Sequence, residues 1–269
     1  MNVFISPFVN ALMWFYDLFG NLGWSVITVT IIIKLLLFPI IWPSLKSAKK
    51  MAELQPRLKK LQEKYGKDKE GLAKAQMDFY KQEGINPLSG CLPNLLQVAV
   101  LIIFFSAFNL VIGVMEGKKQ ITELNSHLIP IIKVAENFKF NQDFMGMDLG
   151  TTPAKLFGMG FSINWILVGI LLIGSAGLQY LSSKLMMPSS AQKGLRNGKP
   201  STVVDQSAYV KATPEKSDDM MEAMRTQSLY LMPAMTIFIG WGFSVGMLLY
   251  WFVNSAVMLG QQLLANKQS

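Results

Sequence analysis

Apart from Lys34, every charged residue in this chain lies outside five apolar segments. The five segments are residues 24–42, 93–115, 162–183, 229–241 and 246–264. A helix needs about 20 apolar residues to cross the hydrocarbon core of a bilayer. The composition agrees, because only 16% of residues are charged, against about 25% in an average soluble domain. The pattern predicts an all-α polytopic membrane protein with five transmembrane helices.

The basic residues set the predicted topology. Residues 43–92 contain 11 Lys and Arg, residues 116–161 contain 5, and residues 184–228 contain 7. Cytoplasmic loops of membrane proteins are enriched in Lys and Arg. We therefore expect the loops at 43–92 and 184–228 in the cytoplasm and the loop at 116–161 outside. The N-terminus is then outside, and the tail at 265–269 is cytoplasmic.

The N-terminal segment, residues 1–22, is rich in aromatic residues and contains no Lys or Arg. Its apolar residues recur at helical spacing, which favours an amphipathic helix lying in the outer membrane interface. A plain extension of the first span is the alternative interpretation.

The segment at 44–84 has apolar residues at intervals of three and four, interrupted at Gly66 and Asp68. This predicts a cytoplasmic helical hairpin, similar to a short coiled coil. Its basic surface is either a solvated face or a contact surface for anionic lipid, a protein partner or ribosomal RNA. Aromatic residues do not alternate with the basic ones, so sequence-specific nucleic-acid binding is not expected.

The last two predicted spans are short. Residues 229–264 must cross the membrane twice, which leaves about 17 residues and about 25 Å of helix for each crossing. That is less than the roughly 30 Å of hydrocarbon in a typical bilayer. Short spans thin the bilayer locally, so this part of the protein is expected to lie in thinned membrane.

Lys34 is the one charge within a predicted span, and none of the five spans contains an Asp or Glu to pair with it. It precedes Pro43 by nine residues, or about 13 Å of helix, too deep for its stem to reach the interface fully. A charge at such a depth needs water or several oxygen partners. We therefore expect a hydrated cavity that opens to the cytoplasm.

Two glutamines, Gln97 and Gln179, are predicted to lie in the same half of the membrane as Lys34, Thr30 shares its helix face, and two aromatic residues lie in the last span. Each of them alone is more often an interhelical hydrogen-bonding residue than part of a site, but their clustering around one charge favours a shared groove. The predicted groove residues besides Lys34 are Thr30, Gln97, Gln179, Tyr250 and Trp251.

The sequence shows no signature of covalent chemistry. It has one cysteine, Cys91, and one histidine, His127, which is too few for a Cys/His metal cluster. A nucleophile–base pair and a phosphate-binding loop are also missing. We expect no enzymatic activity, no catalytic residue, no metal and no cofactor.

Two motifs resemble a known family. "NPLSGCLPNLLQ" (Asn86–Gln97) resembles the segment before the second core span of the YidC/Oxa1/Alb3 membrane protein insertases. "LYWFVNSAVMLGQQ" (Leu249–Gln262), with Met232–Pro233 ahead of it, resembles their final hairpin. A single basic residue in the first core span, followed by Pro and a charged hairpin, is also the family arrangement. The resemblance covers residues 14–265, nearly the whole chain.

The resemblance implies five transmembrane helices around a hydrophilic groove open to the cytoplasm and to lipid. Lys34 would be the basic residue of the groove, and Gln179 and Trp251 its glutamine and aromatic contacts. Bacterial members usually have Arg at the basic position, and Lys keeps the charge but loses the bidentate fork.

A membrane protein insertase and chaperone in a bacterial inner (plasma) membrane is the implied function. Its partners would be nascent membrane proteins, with the Sec translocon, the signal recognition particle machinery and the ribosome as further candidates. The short tail after Gln262 argues against tight ribosome docking.

Two other functions are open at this point. A small transporter could use Lys34 as a counter-charge for its substrate, although such proteins normally show paired intramembrane acids or repeat symmetry. A membrane-anchored assembly scaffold could use the hairpin alone, and Lys34 would then be incidental.

Overall fold

The computed structural model describes residues 2–65, 68–84, 92–136, 138, 140–158, 163–185 and 227–267. Most of the predicted loop at 184–228 and residues 86–91 of the first family motif lie outside the described residues. The described part confirms an all-α polytopic membrane protein, to which one short β-hairpin is added.

The helices follow one another as α1 (Asn2–Phe19), α2 (Leu22–Tyr65), α3 (Lys69–Gln82), α4 (Leu92–Met115), α5 (Ile121–His127), α6 (Pro153–Gly158), α7 (Asn164–Leu185), α8 (Met232–Gly240) and α9 (Val245–Lys267). A 3-10 turn occupies Pro130–Ile132, and a π-helical turn at Gln227–Leu231 precedes α8. Strands β1 (Asp143–Phe144) and β2 (Met147–Asp148) pair antiparallel.

Among the described residues, four helices are long and apolar enough to cross a membrane. They are Leu22–Met51, Leu95–Met115, Ile163–Leu185 and Val245–Ala265. The predicted fourth span, residues 229–241, contains the shorter apolar helix Leu229–Gly240. This helix ends at the turn around Gly242, so its role as a separate crossing stays a prediction.

The first span and the first arm of the hairpin form one helix, α2, of 44 residues. At 1.5 Å per residue it is about 66 Å long and extends far beyond a bilayer. Helix α3 packs back against its distal half, where Leu54 and Leu58 are buried. Two contacts to Glu83 hold the arms together, from Lys50 Nζ to its carbonyl at 2.5 Å and from Arg57 to its carboxylate at 2.9 Å.

Helix α1 belongs to a folded cap, which we define as α1, α5 and the described residues between 128 and 150. One face of α1 packs against α2 and α4 and buries Val9, Leu12, Met13 and Tyr16. Polar contacts join it to the rest of the cap. Asn10 Nδ2 donates to the His127 carbonyl, and Asn10 Oδ1 accepts from the Ile129 amide, at 2.7 and 2.8 Å.

Helix α9 is the central element of the bundle and packs against α7, α2 and α4. Gly246 in its first turn lies directly against the ring of Phe108 on α4. One turn further along α9, Tyr250 stacks on Phe104 with a centroid distance of 4.0 Å. These contacts bring the polar residues of α9 up to α2 and α4, where Lys34 lies.

Candidate functional site

Lys34 is buried between helices, with only 6% of its surface exposed. Its ammonium Nζ donates a hydrogen bond to Gln97 Oε1 on α4 at 2.6 Å. In the part of the chain that the structure describes, no carboxylate forms an ion pair with Lys34. The charge is therefore held by a neutral amide, and an ammonium has three hydrogens to donate.

Gln97 connects Lys34 to the last helix. Its Nε2 points to the Tyr250 hydroxyl at 3.5 Å, the outer limit for a hydrogen bond. A second link runs along the backbone, because Gln261 Nε2 on α9 donates to the Lys34 carbonyl at 3.1 Å. Lys34 is thus attached to α4 by its side chain and to α9 by its backbone.

A small cavity of about 10 Å³ adjoins the ammonium group, which is room for about one water molecule. It is lined by Thr30, Ile33, Lys34, Leu37, Ile41, Leu96, Gln97, Val100, Tyr250 and Asn254. Asn254 Oδ1 is buried and has no hydrogen-bond partner among the described residues. Since one wall of the cavity carries a donor group and another an unpaired acceptor, the site is suited to a bridging water or a polar ligand atom.

The cavity extends along α2 and α4 toward the hairpin, while its lining on α9, Tyr250 and Asn254, lies in the first half of that helix. Its lining on α2 runs from Thr30 to Ile41, toward the end of the span that continues into the hairpin, and its lining on α4 is in the first turns. Thr30 lines the cavity, but its hydroxyl hydrogen is not available to a ligand, because Oγ1 donates it to the Val26 carbonyl at 2.6 Å.

The structure brings four of the six predicted groove residues to this cavity: Lys34, Thr30, Gln97 and Tyr250. Gln179 lies between α7 and α8 instead, where its Oε1 accepts a hydrogen bond from Thr236 Oγ1 at 2.7 Å. Trp251 packs near Phe243, with ring centroids 5.7 Å apart. The groove roles of Gln179 and Trp251 stay predictions.

Two residues of the site, Asn254 and Gln261, were not among the predicted groove residues. The available signal was their spacing, because residues seven apart on a helix lie on the same face. That face of α9 also contains Tyr250, four residues before Asn254. A polar stripe at this spacing in an apolar helix indicates a buried polar contact.

Residues 14–269 match the family described as "60Kd inner membrane protein". The chain belongs to this family. The match confirms the resemblance that the motifs indicated, and together with the four long apolar helices it establishes a multi-pass membrane protein.

Several relatives in this family carry the name "Membrane protein insertase YidC". The one from Pelobacter propionicus is 28% identical over 266 residues, which are 99% of this chain and 39% of the relative. The one from Rickettsia conorii is 30% identical over 267 residues, 98% of this chain and 39% of the relative. One from Aromatoleum aromaticum is 42% identical over 119 residues, 44% of this chain and 21% of the relative. The relatives from Pelobacter propionicus and Rickettsia conorii match nearly the whole of this chain, and the chain spans about two fifths of their length.

Proposed function

We propose that this chain is a membrane protein insertase and chaperone of a bacterial inner membrane, without covalent chemistry. It would receive hydrophilic segments of nascent membrane proteins beside Lys34 and release their apolar helices into lipid. The observation that carries the proposal is a buried ammonium group held only by a neutral amide among the described residues. The names of the relatives point to the same activity.

The chemistry at Lys34 favours exchange of its partner. The Lys34–Gln97 bond has one ionised partner, whereas a carboxylate would add the attraction of a second, opposite charge, which is strong in a low-dielectric site. An incoming carboxylate, or several backbone carbonyls, would thus compete with the Gln97 amide for the ammonium hydrogens. The cavity of about 10 Å³ is too small for a peptide. A substrate must therefore separate α2 from α4 as it enters, and we propose that the Lys34–Gln97 contact opens in this step.

A short path through the membrane would lower the barrier for a polar segment. Trp165 and Tyr180 lie near opposite ends of α7, 15 residues or about 22 Å apart along the helix. Trp165 clusters with Trp241, and Tyr180 lies near Tyr230, at centroid distances of 6.3 and 6.2 Å. Trp and Tyr prefer the membrane interfaces, so these clusters support thinned membrane beside α7 and α8.

We further propose that the hairpin is cytoplasmic, with the N-terminus outside, the C-terminus inside and the groove opening toward the hairpin. Basic side chains are exposed along its first arm at Lys46, Lys50, Arg57, Lys60 and Lys64. This surface suits anionic lipids, the Sec translocon, the signal recognition particle machinery or the ribosome as partners.

The test is insertion of a purified single-span substrate with an acidic external tail into proteoliposomes. Lys34→Arg keeps the charge and should retain most of the activity, whereas Lys34→Glu should reduce insertion by roughly tenfold or more, because like charges repel across a low-dielectric path. Lys118→Ala, which removes an exposed lysine outside the spans, is the matched control and should insert normally.

The same variants separate the alternative functions. A transporter would show solute flux in vesicles that contain no polypeptide substrate, and this flux would depend on Lys34. A scaffold would be indifferent to both Lys34→Arg and Lys34→Glu. Normal insertion by Lys34→Glu, in protein that is folded and reconstituted, would overturn the proposal.

A further inference from the structure

A second and larger cavity, of about 350 Å³, lies between the cap and α4. Its volume falls in the range of small-ligand pockets. It is lined by Ile5, Phe105, Ser106, Asn109, Leu110, Lys119, Glu123 and His127. None of these residues belongs to the Lys34 site, so the cavity is a separate feature of the protein.

The roof of this cavity is charged and polar. Lys119 Nζ and Glu123 Oε1 form an ion pair at 2.7 Å, with both side chains nearly half exposed. His127 follows one turn later, and its Nδ1 lies 3.0 Å from Ser6 Oγ on α1. The alkyl stem of Lys119 rests against Gly113 of α4, which places the ammonium group at the end of this span.

The wall of the cavity opposite these charges is formed by α4 and extends into the membrane-spanning part of that helix. Asn109 lies six residues before the end of α4 at Met115, about 9 Å below it. Its side chain is exposed on the helix surface. An amide exposed at this depth requires a polar partner, since burial in hydrocarbon without a hydrogen bond is costly.

Below the cavity the same face of α4 is apolar and exposed. Leu95, Val98, Ile102 and Phe105 recur at intervals of three and four and are 65%, 53%, 56% and 40% exposed. Residues at this spacing form one stripe along a helix. The stripe is continuous with the cavity through Phe105. The site therefore has a charged end near the interface and an apolar track into the membrane, a layout that fits an amphiphile better than a water-soluble ligand.

We propose that this cavity binds the headgroup of a phosphatidylethanolamine-type phospholipid from the leaflet next to the cap, with an acyl chain along the α4 stripe. Lys119 contacts the lipid phosphate, Glu123 accepts hydrogen bonds from the ammonium group, and Asn109 donates to an ester carbonyl. The inference rests on the membrane-spanning placement of α4 and is independent of insertase activity.

The pairing of charges in the roof decides the lipid class. A phosphatidylethanolamine headgroup has one phosphate and one primary ammonium, which complement one Lys and one Glu. Phosphatidylcholine has a methylated ammonium that cannot donate a conventional hydrogen bond. Phosphatidylglycerol lacks the cation, so Glu123 would face an anionic headgroup without compensation.

The test uses the full chain, purified in mild detergent and equilibrated with an equal mixture of these three lipids. Bound lipid is counted by native mass spectrometry. We expect phosphatidylethanolamine to be retained at least threefold over either competitor. Glu123→Gln, Lys119→Gln and Asn109→Leu should each reduce its retention at least threefold. Exposed i,i+4 ion pairs contribute little to folding, so the two charge variants are expected to fold.

Lys118→Gln is the control, because Lys118 pairs with Glu116 at 2.6 Å in the same loop and does not line the cavity. It should leave lipid retention unchanged. The proposal is overturned if the three lipids are retained equally, if phosphatidylglycerol is preferred, or if Glu123→Gln behaves like Lys118→Gln.

Discussion

At the scale of single residues, two free energies of similar size and opposite sign meet at Lys34: the cost of burying its charge and the contribution of its hydrogen bond to Gln97. A charge near mid-bilayer costs about 2.5–3.5 kcal/mol on insertion scales. A hydrogen bond to a charged group contributes about 1.5–3 kcal/mol. The 2.6 Å bond from Lys34 to Gln97 therefore offsets much of the cost of the charge without making the pair a net source of stability. A charge retained at this cost indicates a role other than folding.

The first prediction follows from this balance. Among the described residues, Lys34→Met leaves the Gln97 amide with only the distant Tyr250 hydroxyl, so we expect a loss of about 1–2 kcal/mol. The double variant Lys34→Met with Gln97→Leu removes both polar groups and should be at least as stable as the parent protein. Thermal unfolding in lipid nanodiscs measures both values.

The insertion assay on the same double variant completes this test. We expect stable protein with insertion reduced roughly tenfold, the separation of stability from activity that is typical of functional polar groups. A double variant more than about 2 kcal/mol less stable than the parent would mean that the pair is structural. Unchanged insertion would mean that the substrate does not use Lys34.

At the scale of elements, the crossing of α9 over α4 depends on a glycine. A Cβ at Gly246 would overlap the ring of Phe108, which is fully buried. Gly246→Ala is therefore expected to cost about 1–3 kcal/mol, the usual penalty for overpacking a core. Gly169 on α7 is the control, because a Cβ there meets no atom of the described part of the chain within 4 Å. Gly169→Ala should be neutral or stabilising by up to about 1 kcal/mol. Equal unfolding temperatures for the two variants would contradict this packing.

The attachment of α1 to the rest of the cap gives the third prediction. Asn10→Ala removes the hydrogen bonds to the His127 carbonyl and from the Ile129 amide. Each lost contact of this kind costs about 1 kcal/mol, so amide hydrogen exchange at Ile129 should accelerate roughly tenfold. Thr122→Ala, an exposed change on α5 whose hydroxyl contacts only Gln120 among the described residues, should leave that exchange unchanged. Equal exchange rates in both variants would mean that the Asn10 hydrogen bonds do not hold α1 to the rest of the cap.

The helices could be predicted from sequence because the separation of charged from apolar residues is a one-dimensional signal. The depth of a residue is also one-dimensional, so the sequence predicts Lys34 and Gln97 at similar depth, and the structure joins them by a hydrogen bond. Depth does not fix the direction in which a side chain points around its helix, and Gln179 instead bonds to Thr236 on α8. The buried face of α1 shows a second limit, because an apolar face that suits the interface equally suits packing on α2 and α4.

At the scale of the whole molecule, the two sides of the bundle differ in apolar length. On one side, α4 has 24 residues, or about 36 Å. On the other side, the π-helical turn and α8 together run from Gln227 to Gly240, or about 21 Å. The aromatic clusters at the ends of α7 give a similar value of about 22 Å. We therefore propose that the bilayer is thinner beside α8 than beside α4, and Phe238 of α8 is 80% exposed on that side.

The last prediction concerns membrane thickness. A mismatch of about 8 Å between a 22 Å belt and a 30 Å bilayer, at fractions of a kcal/mol per Å, amounts to a few kcal/mol. The protein should therefore unfold at a higher temperature in nanodiscs of short-chain lipids than in those of long-chain lipids, by several degrees.

Trp165→Leu combined with Trp241→Leu removes the aromatic anchors at one interface and should weaken this dependence. Trp14→Leu changes an exposed tryptophan of α1 outside the two clusters and should preserve it. Stability that rises with chain length, or a dependence that survives loss of both anchors, would show that α8 and its aromatic ends do not set the thickness of the surrounding bilayer.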